Sequence, residues 1–285
     1  MIPVKIIKRI FIRKGPGKSF ASIGDTSPSG KVINMEGKVP GESISGVSDW
    51  YFLTNTNGEK QYYWGGGLSE IGFLPANLPA NCTIGVDVSH HNGSPDWNSI
   101  VAAGATFVYI KTSEGVGTPD HKANEFAQAA KQKGLQVGYY HFCRPDTKNG
   151  GAVTSDATAE ANEVLRIMAG LPTADLPLVL DLEDQQNWDT PLGKLDYLTW
   201  VVTFINQIIN SGKPTPIIYS RKEYLDRRLP PNHNLGSVPL WISYYGKQDC
   251  NAVACPVGWT SWLMWQFTEN GQLGGNLKID LNIKK

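Results

Sequence analysis

The 285-residue chain sets 26 Lys and Arg against 26 Asp and Glu, giving zero net charge. A nucleic-acid partner calls for a basic excess, and there is none. Hydrophobic residues make up 41%, enough for a packed core, while no apolar run reaches the ~18 residues of a membrane-spanning helix.

In chain order, "MIPVKIIKRIFIRKG" has charges but neither a long apolar centre nor a small-residue cleavage site, so it does not read as a signal peptide. Residues 1–75 read as short strands with turn signals and no helical period. Asn57-Gly58 marks a hairpin. The expectation is a small all-β module, a barrel of five or six strands. "LPANLPANC" has two prolines and no periodicity, and 76–81 is assigned as a linker.

From Cys82 to residue 285 the pattern changes to strand, helix, strand. Eight apolar strand candidates follow: "TIGVDVS", "TFVYIKT", "LQVGYYHF", "LPLVLDLE", "TPIIYS", "VPLWISYY", "SWLMWQFT" and "LKIDLN". Helical patterns ending at Gly104, Gly134 and Gly170 separate the early ones, and "KLDYLTWVVTFINQIINSG" precedes the fifth. Beyond the fifth strand the helices are expected to fade. Alternating β and α with nearly continuous apolar strands predicts a parallel sheet covered on both faces. The fold class is therefore α/β, a β/α barrel of eight strands with an incomplete outer helix layer. An open doubly wound sheet is disfavoured, because "VSHHNGS" after the first strand is no phosphate loop.

In such a barrel the site lies at the C-terminal ends of the strands. Those ends carry Asp87, Glu114, Tyr140, Asp181 with Glu183, Tyr219, Trp241, Gln266 and Asp280. Residues two apart on a strand share a face. Asp181 and Glu183 should point together into the barrel mouth while Leu180 and Leu182 face the helices. Two carboxyls this close cannot both ionise easily, so one pKa should rise. A protonated acid beside an ionised one suits glycosidic cleavage. Asp184 faces the other way and suits a helix cap or the surface.

His90 and His91 are adjacent and should point to opposite sides, which argues against a shared metal ion. His141 is expected to pack against the helix layer. Cys250 and Cys255 could form a short disulfide, whereas Cys82 and Cys143 read as buried thiols. No cofactor and no metal are expected, and no G-x-S-x-G supports acyl-enzyme chemistry.

The blocks "IGVDVSHHNGSPDW", "FVYIKTSEG", "VGYYHF", "LVLDLED", "PIIYS", "LWISYY", "MWQFTENG" and "IDLN" resemble, in order, those of glycoside hydrolase family 25, the Chalaropsis-type muramidases. The resemblance implies hydrolysis of the β-1,4 bond between N-acetylmuramic acid and N-acetylglucosamine in bacterial peptidoglycan, hence action at the cell wall. It implies Glu183 as general acid and Asp181 as the group that assists the substrate's N-acetyl attack, with retention. It also implies Asp87 and Asp280 as further rim carboxylates. Tyr140, Tyr219, Trp241, Tyr245 and Gln266 would line the groove, with Glu114 as a further binding residue. "IFIRKGPGKSFASIG" and "DWYFL" resemble a bacterial SH3-type module that would hold the enzyme on the wall. A monomer is expected. Another amino-sugar glycosidase, chitinase-like, or an inactive wall-binding protein are the alternatives.

Overall fold

The computed structural model describes residues 2–28, 32–70, 78, 81–184, 192–245, 249–273 and 276–285. The linker assigned to 76–81 falls mostly outside them.

The N-terminal region is all β, with more strands than expected. β1 (Ile2–Ile6), β4 (Val32–Met35) and β8 (Leu68–Glu70) form one antiparallel sheet in the order β4-β1-β8. β2 (Ile10–Arg13), β3 (Ser22–Thr26), β5 (Gly37–Ile44), β6 (Val47–Thr54) and β7 (Lys60–Trp64) form a second, ordered β3-β2-β7-β6-β5. The extra strands are short ones that period-2 patterning does not separate from turns. Asn57-Gly58 does sit in the β6–β7 hairpin, where the Asn55 side chain accepts from the backbone N–H groups of Asn57 and Glu59. Val4, Ile6, Ile10, Met35, Tyr51, Tyr63 and Leu68 make a core of this region's own.

The barrel follows. Its strands are β9 (Thr83–Val88), β10 (Ala105–Glu114), β12 (Gln136–Phe142), β13 (Val179–Asp181), β14 (Ile217–Arg221), β15 (Leu240–Ser243), β16 (Met264–Leu273) and β17 (Asn276–Lys284). They close because β10 pairs with β9 at one end of the order and β17 pairs with β9 at the other. A two-residue strand, β11 (Thr118–Pro119), is appended to β10. All eight expected strands are present. One direction differs from the expectation: β17 runs antiparallel to both β16 and β9. Only a short connection joins β16 to β17, and parallel neighbours need a long crossover.

Outside lie α1 (Trp97–Ala102), α2 (Ala123–Gln132), α3 (Val153–Met168), α4 (Lys194–Asn210) and α5 (Lys222–Arg228). α1 starts on Asp96, whose carboxylate accepts from Ser99 N at 3.2 Å. Beyond α2, Gly134 takes φ 80°, a conformation that stops a helix at little steric cost in glycine alone. α5 is the one α-helix after the fifth strand among the described residues, so the helices do fade there as expected. Its seven residues are too few to show a period, yet it buries Tyr224 and Leu225.

Strand alternation sorts the side chains. Phe107, Tyr109, Val179, Ile217, Tyr219, Trp241 and Met264 pack inside the barrel. Val108, Ile110, Leu180, Leu182, Ile218, Ile242 and Trp265 join the core beneath the helices. Leu180 and Leu182 thus face the helices, as their spacing predicts. His141 also faces them: its Nδ1 is 2.9 Å from Ser113 Oγ, its Nε2 is 2.9 Å from Glu160 Oε2, and its ring stacks on Phe204. Asp156 of α3 accepts from the Trp200 indole N–H of α4 at 2.7 Å. The four cysteines carry thiols, so the short disulfide considered between Cys250 and Cys255 is not formed.

Two aromatic rings of β10 lie across glycines of the neighbouring strands. Phe107 is in register with Gly85 and Tyr109 with Gly138. A Cβ on Gly138 would lie 2.2 Å from the Tyr109 ring, and one on Gly85 2.3 Å from the Phe107 ring. Gly138→Ala should therefore overpack the barrel interior and destabilise it by about 1–3 kcal/mol. Urea denaturation checks this, and an unchanged midpoint would contradict it.

Candidate active site

The polar ends of the inward-facing rows meet at the barrel mouth. Asp87 of β9, Tyr140 of β12, Asp181 of β13 with Glu183 just beyond it, Tyr219 of β14, Trp241 of β15, Tyr245, Gln266 and Glu269 of β16, and Asp280 of β17 line one cleft. It holds about 510 Å³, including space open to solvent. Asp280 reaches it because β17 is reversed: it lies at the middle of its strand, opposite Asp87 in register. The sequence pattern puts Asp280 at a strand's C-terminal end, whereas β17 delivers it to the same rim running in the opposite direction.

Asp87 is the hub. Its Oδ2 accepts from Gln266 Nε2 and from Asn282 Nδ2, both at 2.8 Å. Each amide is oriented from behind. Gln266 Oε1 accepts from Tyr219 Oη at 2.6 Å and Tyr245 Oη at 2.5 Å, and Asn282 Oδ1 accepts from Trp241 Nε1 at 3.0 Å. Both NH2 groups must then face the carboxylate. Burial pushes the Asp87 carboxyl up, while the hydrogen bonds from Asn282, Gln266 and Asp280 oppose the shift. Asp280 is pushed up to about 10, by burial first and then by the charge and hydrogen bond of Asp87. The pair thus holds one proton, carried by Asp280 and donated to Asp87.

Asp181 and Glu183 form a second proton-sharing pair. Burial, then the neighbouring Glu183, push Asp181 well above the carboxylate range, and Lys111 opposes this. Burial also raises Glu183, against a hydrogen bond from Asp181 and the charge of Arg221. Asp181 Oδ1 is buried and has no hydrogen-bond partner among the described residues. An orphaned buried acceptor is costly unless a ligand or water meets it.

Glu114 lies outside the cleft lining. It is clamped between Lys111, at 2.7 Å, and Arg144. Burial works against its charge, but those two hydrogen bonds hold its carboxyl below the usual range. Asp184 is exposed and paired with Arg221 and Arg227, in keeping with a surface role. The histidines depart from expectation. Residues 90–92 form a 3-10 turn rather than extended chain, and the His90 and His91 rings lie 3.8 Å apart.

Three participants escaped the sequence reading. Asn282 stands two residues after Asp280, so strand alternation could have found it. Lys111 follows Phe107 and Tyr109 at the same spacing. Glu269 is reached across register shifts in β16 that no simple alternation follows.

Comparison with known proteins fixes the family. Residues 86–276 match the model of glycosyl hydrolases family 25. The chain belongs to this family. It is therefore a glycoside hydrolase, and its barrel is the family fold. Lysozyme M1 of Streptomyces globisporus is 28% identical over 246 residues, 83% of this chain and 77% of that protein. The autolytic lysozyme of Clostridium acetobutylicum is 29% identical over 193 residues, 67% of this chain and 52% of that one. Among solved structures, a lysozyme from Streptomyces coelicolor superposes with a TM-score of 0.60 at 26% identity, covering 72% of this chain and 92% of its own.

The Asp87–Asp280 proton sets a pH dependence. An unfolded aspartate releases its proton near pH ~4, whereas the folded chain keeps one on Asp280 up to about pH 10. In that window the native state binds more protons than the unfolded state, so this pair's contribution to stability falls as pH rises. Asp280→Asn keeps an N–H donor for Asp87 and removes the titration. Guanidinium unfolding of both proteins at pH 4.5 and pH 9 should show the variant gaining on the wild type at pH 9. Equal differences at both pH values would contradict the assignment.

Proposed function

We propose that this family 25 hydrolase cleaves the β-1,4 bond between N-acetylmuramic acid and N-acetylglucosamine of bacterial peptidoglycan, with Glu183 as the general acid and Asp181 assisting the substrate's own N-acetyl group. The observation that carries the reading is the proton-sharing Asp181–Glu183 pair in the cleft, with the orphaned Asp181 Oδ1 beside it. An N-acetyl sugar presents an amide N–H, which is the donor that Oδ1 lacks. Once that donor docks, the ionised form of Asp181 is favoured, and the shared proton passes to Glu183. Glu183 then protonates the leaving glycosidic oxygen as the amide oxygen attacks the anomeric carbon. Asp181 holds the amide polarised for that attack. Water opens the resulting ring, with Glu183 now acting as base and configuration retained. Asp87 and Asp280 hold the cleft wall, and the aromatic groups Tyr140, Trp241 and Tyr245 offer flat surfaces for sugar rings.

The test is product identity. Purified peptidoglycan is digested, reduced with borohydride and read by mass spectrometry. Reduced N-acetylmuramic acid is expected from the wild type, and Glu183→Gln should be slower by roughly 10²–10⁴-fold. Reduced N-acetylglucosamine instead would overturn the bond assignment.

We also propose that residues 1–75 bind the cell wall, so that the enzyme works as a monomer at the wall surface. Support comes from the separate core of these strands and from a surface recess lined by Lys14, Ile23, Glu59, Lys60 and Tyr62. Losing one aromatic contact of about 1 kcal/mol corresponds to about fivefold in affinity. Tyr62→Ala should therefore weaken pelleting with peptidoglycan about fivefold and leave cleavage of soluble fragments unchanged. Equal pelleting would remove this recess from the binding face.

A further inference from the structure

Two clusters of metal-ligating side chains occur among the described residues. His141, Cys143 and Glu160 form one, but it is wholly buried, and both nitrogens of His141 are committed to Ser113 and Glu160. His90, Asp120 and His121 form the other, on the barrel rim, where His121 is exposed and His90 half-buried.

This second cluster is built rather than incidental. A 3-10 turn holds His90: Ser89 accepts from His91 N, and Asn92 accepts from Ser89 N at 2.8 Å. Asp120 is fixed through its own N–H, which donates to Thr112 O at 2.8 Å. Its side chain is 1% exposed and accepts from His90 N at 3.0 Å, His90 Nδ1 at 2.8 Å and Lys122 N at 2.9 Å. His90 is its only ion-pair partner among the described residues, because the Lys122 ammonium is taken by Glu125 at 2.7 Å. A buried carboxylate is thus held rigidly against one imidazole, and the next residue in the chain supplies a second imidazole.

We propose that His90, Asp120 and His121 bind a divalent transition-metal ion, with Zn2+ the best match. Two imidazole nitrogens and a carboxylate oxygen are a donor set that Zn2+ takes, with water completing a tetrahedron. The three ligand atoms already lie within 4.8 Å of one another. Ligands about 2.0–2.2 Å from a tetrahedral zinc stand some 3.3 Å apart, so the His90–Asp120 pair, now at 2.8 Å, opens slightly and the exposed His121 ring swings inward. The ion enters between His90 Nδ1 and Asp120 Oδ2, and the His90 ring then carries its proton on Nε2. None of the three residues lines the cleft. The ion therefore sits beside the chemistry, where it ties the turn after β9 to the segment after β11. Asp120 nevertheless lies close enough for its charge to act on Tyr140 of the cleft.

Isothermal titration of the full chain, stripped with a chelator and then titrated with ZnCl2, tests the site directly. One saturable ion per chain is expected, together with a rise in Tm. Loss of a ligand or its supporting partner costs about 10–100-fold in affinity, and His121→Ala should show a loss of that size without disturbing the fold, since its side chain is exposed. The thiols of Cys82 and Cys255 stay intact in this variant, so zinc captured there would bind wild type and variant alike. Equal affinities, or no saturable binding below ~1 mM, would overturn the proposal. Neither readout depends on the glycosidase reaction.

Discussion

A carboxylate at position 87, buried in the throat of the barrel, is the constraint to which the surrounding strands answer. Such a group is tolerable only if hydrogen bonds replace the water it has lost. Here the replacements come from β16 and β17, and these donors are themselves oriented from β14 and β15 and by Tyr245. The network therefore runs around much of the barrel's circumference and fixes side chains from five strands and the segment after β15 relative to one another. Apolar packing below it supplies the bulk of the cohesion. The polar ring above determines where the amides and phenols point.

The same ring prepares the site electrically. Four carboxyls in a confined, poorly hydrated space cannot all be charged, and the structure resolves this by pairing them so that each pair holds a proton. The two pairs differ in openness. At the one between β9 and β17, the amides of Gln266 and Asn282 donate to Asp87. The other keeps a buried acceptor, Asp181 Oδ1, with no hydrogen-bond partner among the described residues. Lys111, held by Glu114, adds a positive charge on the side of Asp181. Glu114 thus holds the cation from outside the cleft lining.

Much of this was legible in the residues. Period-2 alternation in "LVLDLE" is unambiguous, because aliphatic and acidic residues occupy opposite faces, and it placed Asp181 and Leu180 correctly. The apolar runs gave the barrel strands. What remained hidden was whatever depends on a partner distant in sequence. β17 looks like any other core strand, and only the shortness of its connection fixes its direction. Asn282 is an ordinary strand asparagine until the Trp241 indole and Asp87 meet it from either side. His90 and His91 read as extended chain in the sequence, although the Ser89–Asn92 cap turns them into a 3-10 turn. α5 is too brief to declare a period, and the short N-terminal strands blend into their turns.

The reversed β17 has a consequence for how the enzyme comes into being. β9 must find its last neighbour almost two hundred positions further along the chain, a pairing of very high sequence separation, which is intrinsically slow to form. Until 276–284 has been synthesised and zipped between β16 and β9, the throat lacks both Asp280 and Asn282. The carboxylate at 87 then has neither its proton partner nor one of its two amide donors. A chain still emerging from the ribosome is thus a sheet with open edges and an unassembled cleft. Closure of the barrel and completion of the polar ring around Asp87 become a single late event.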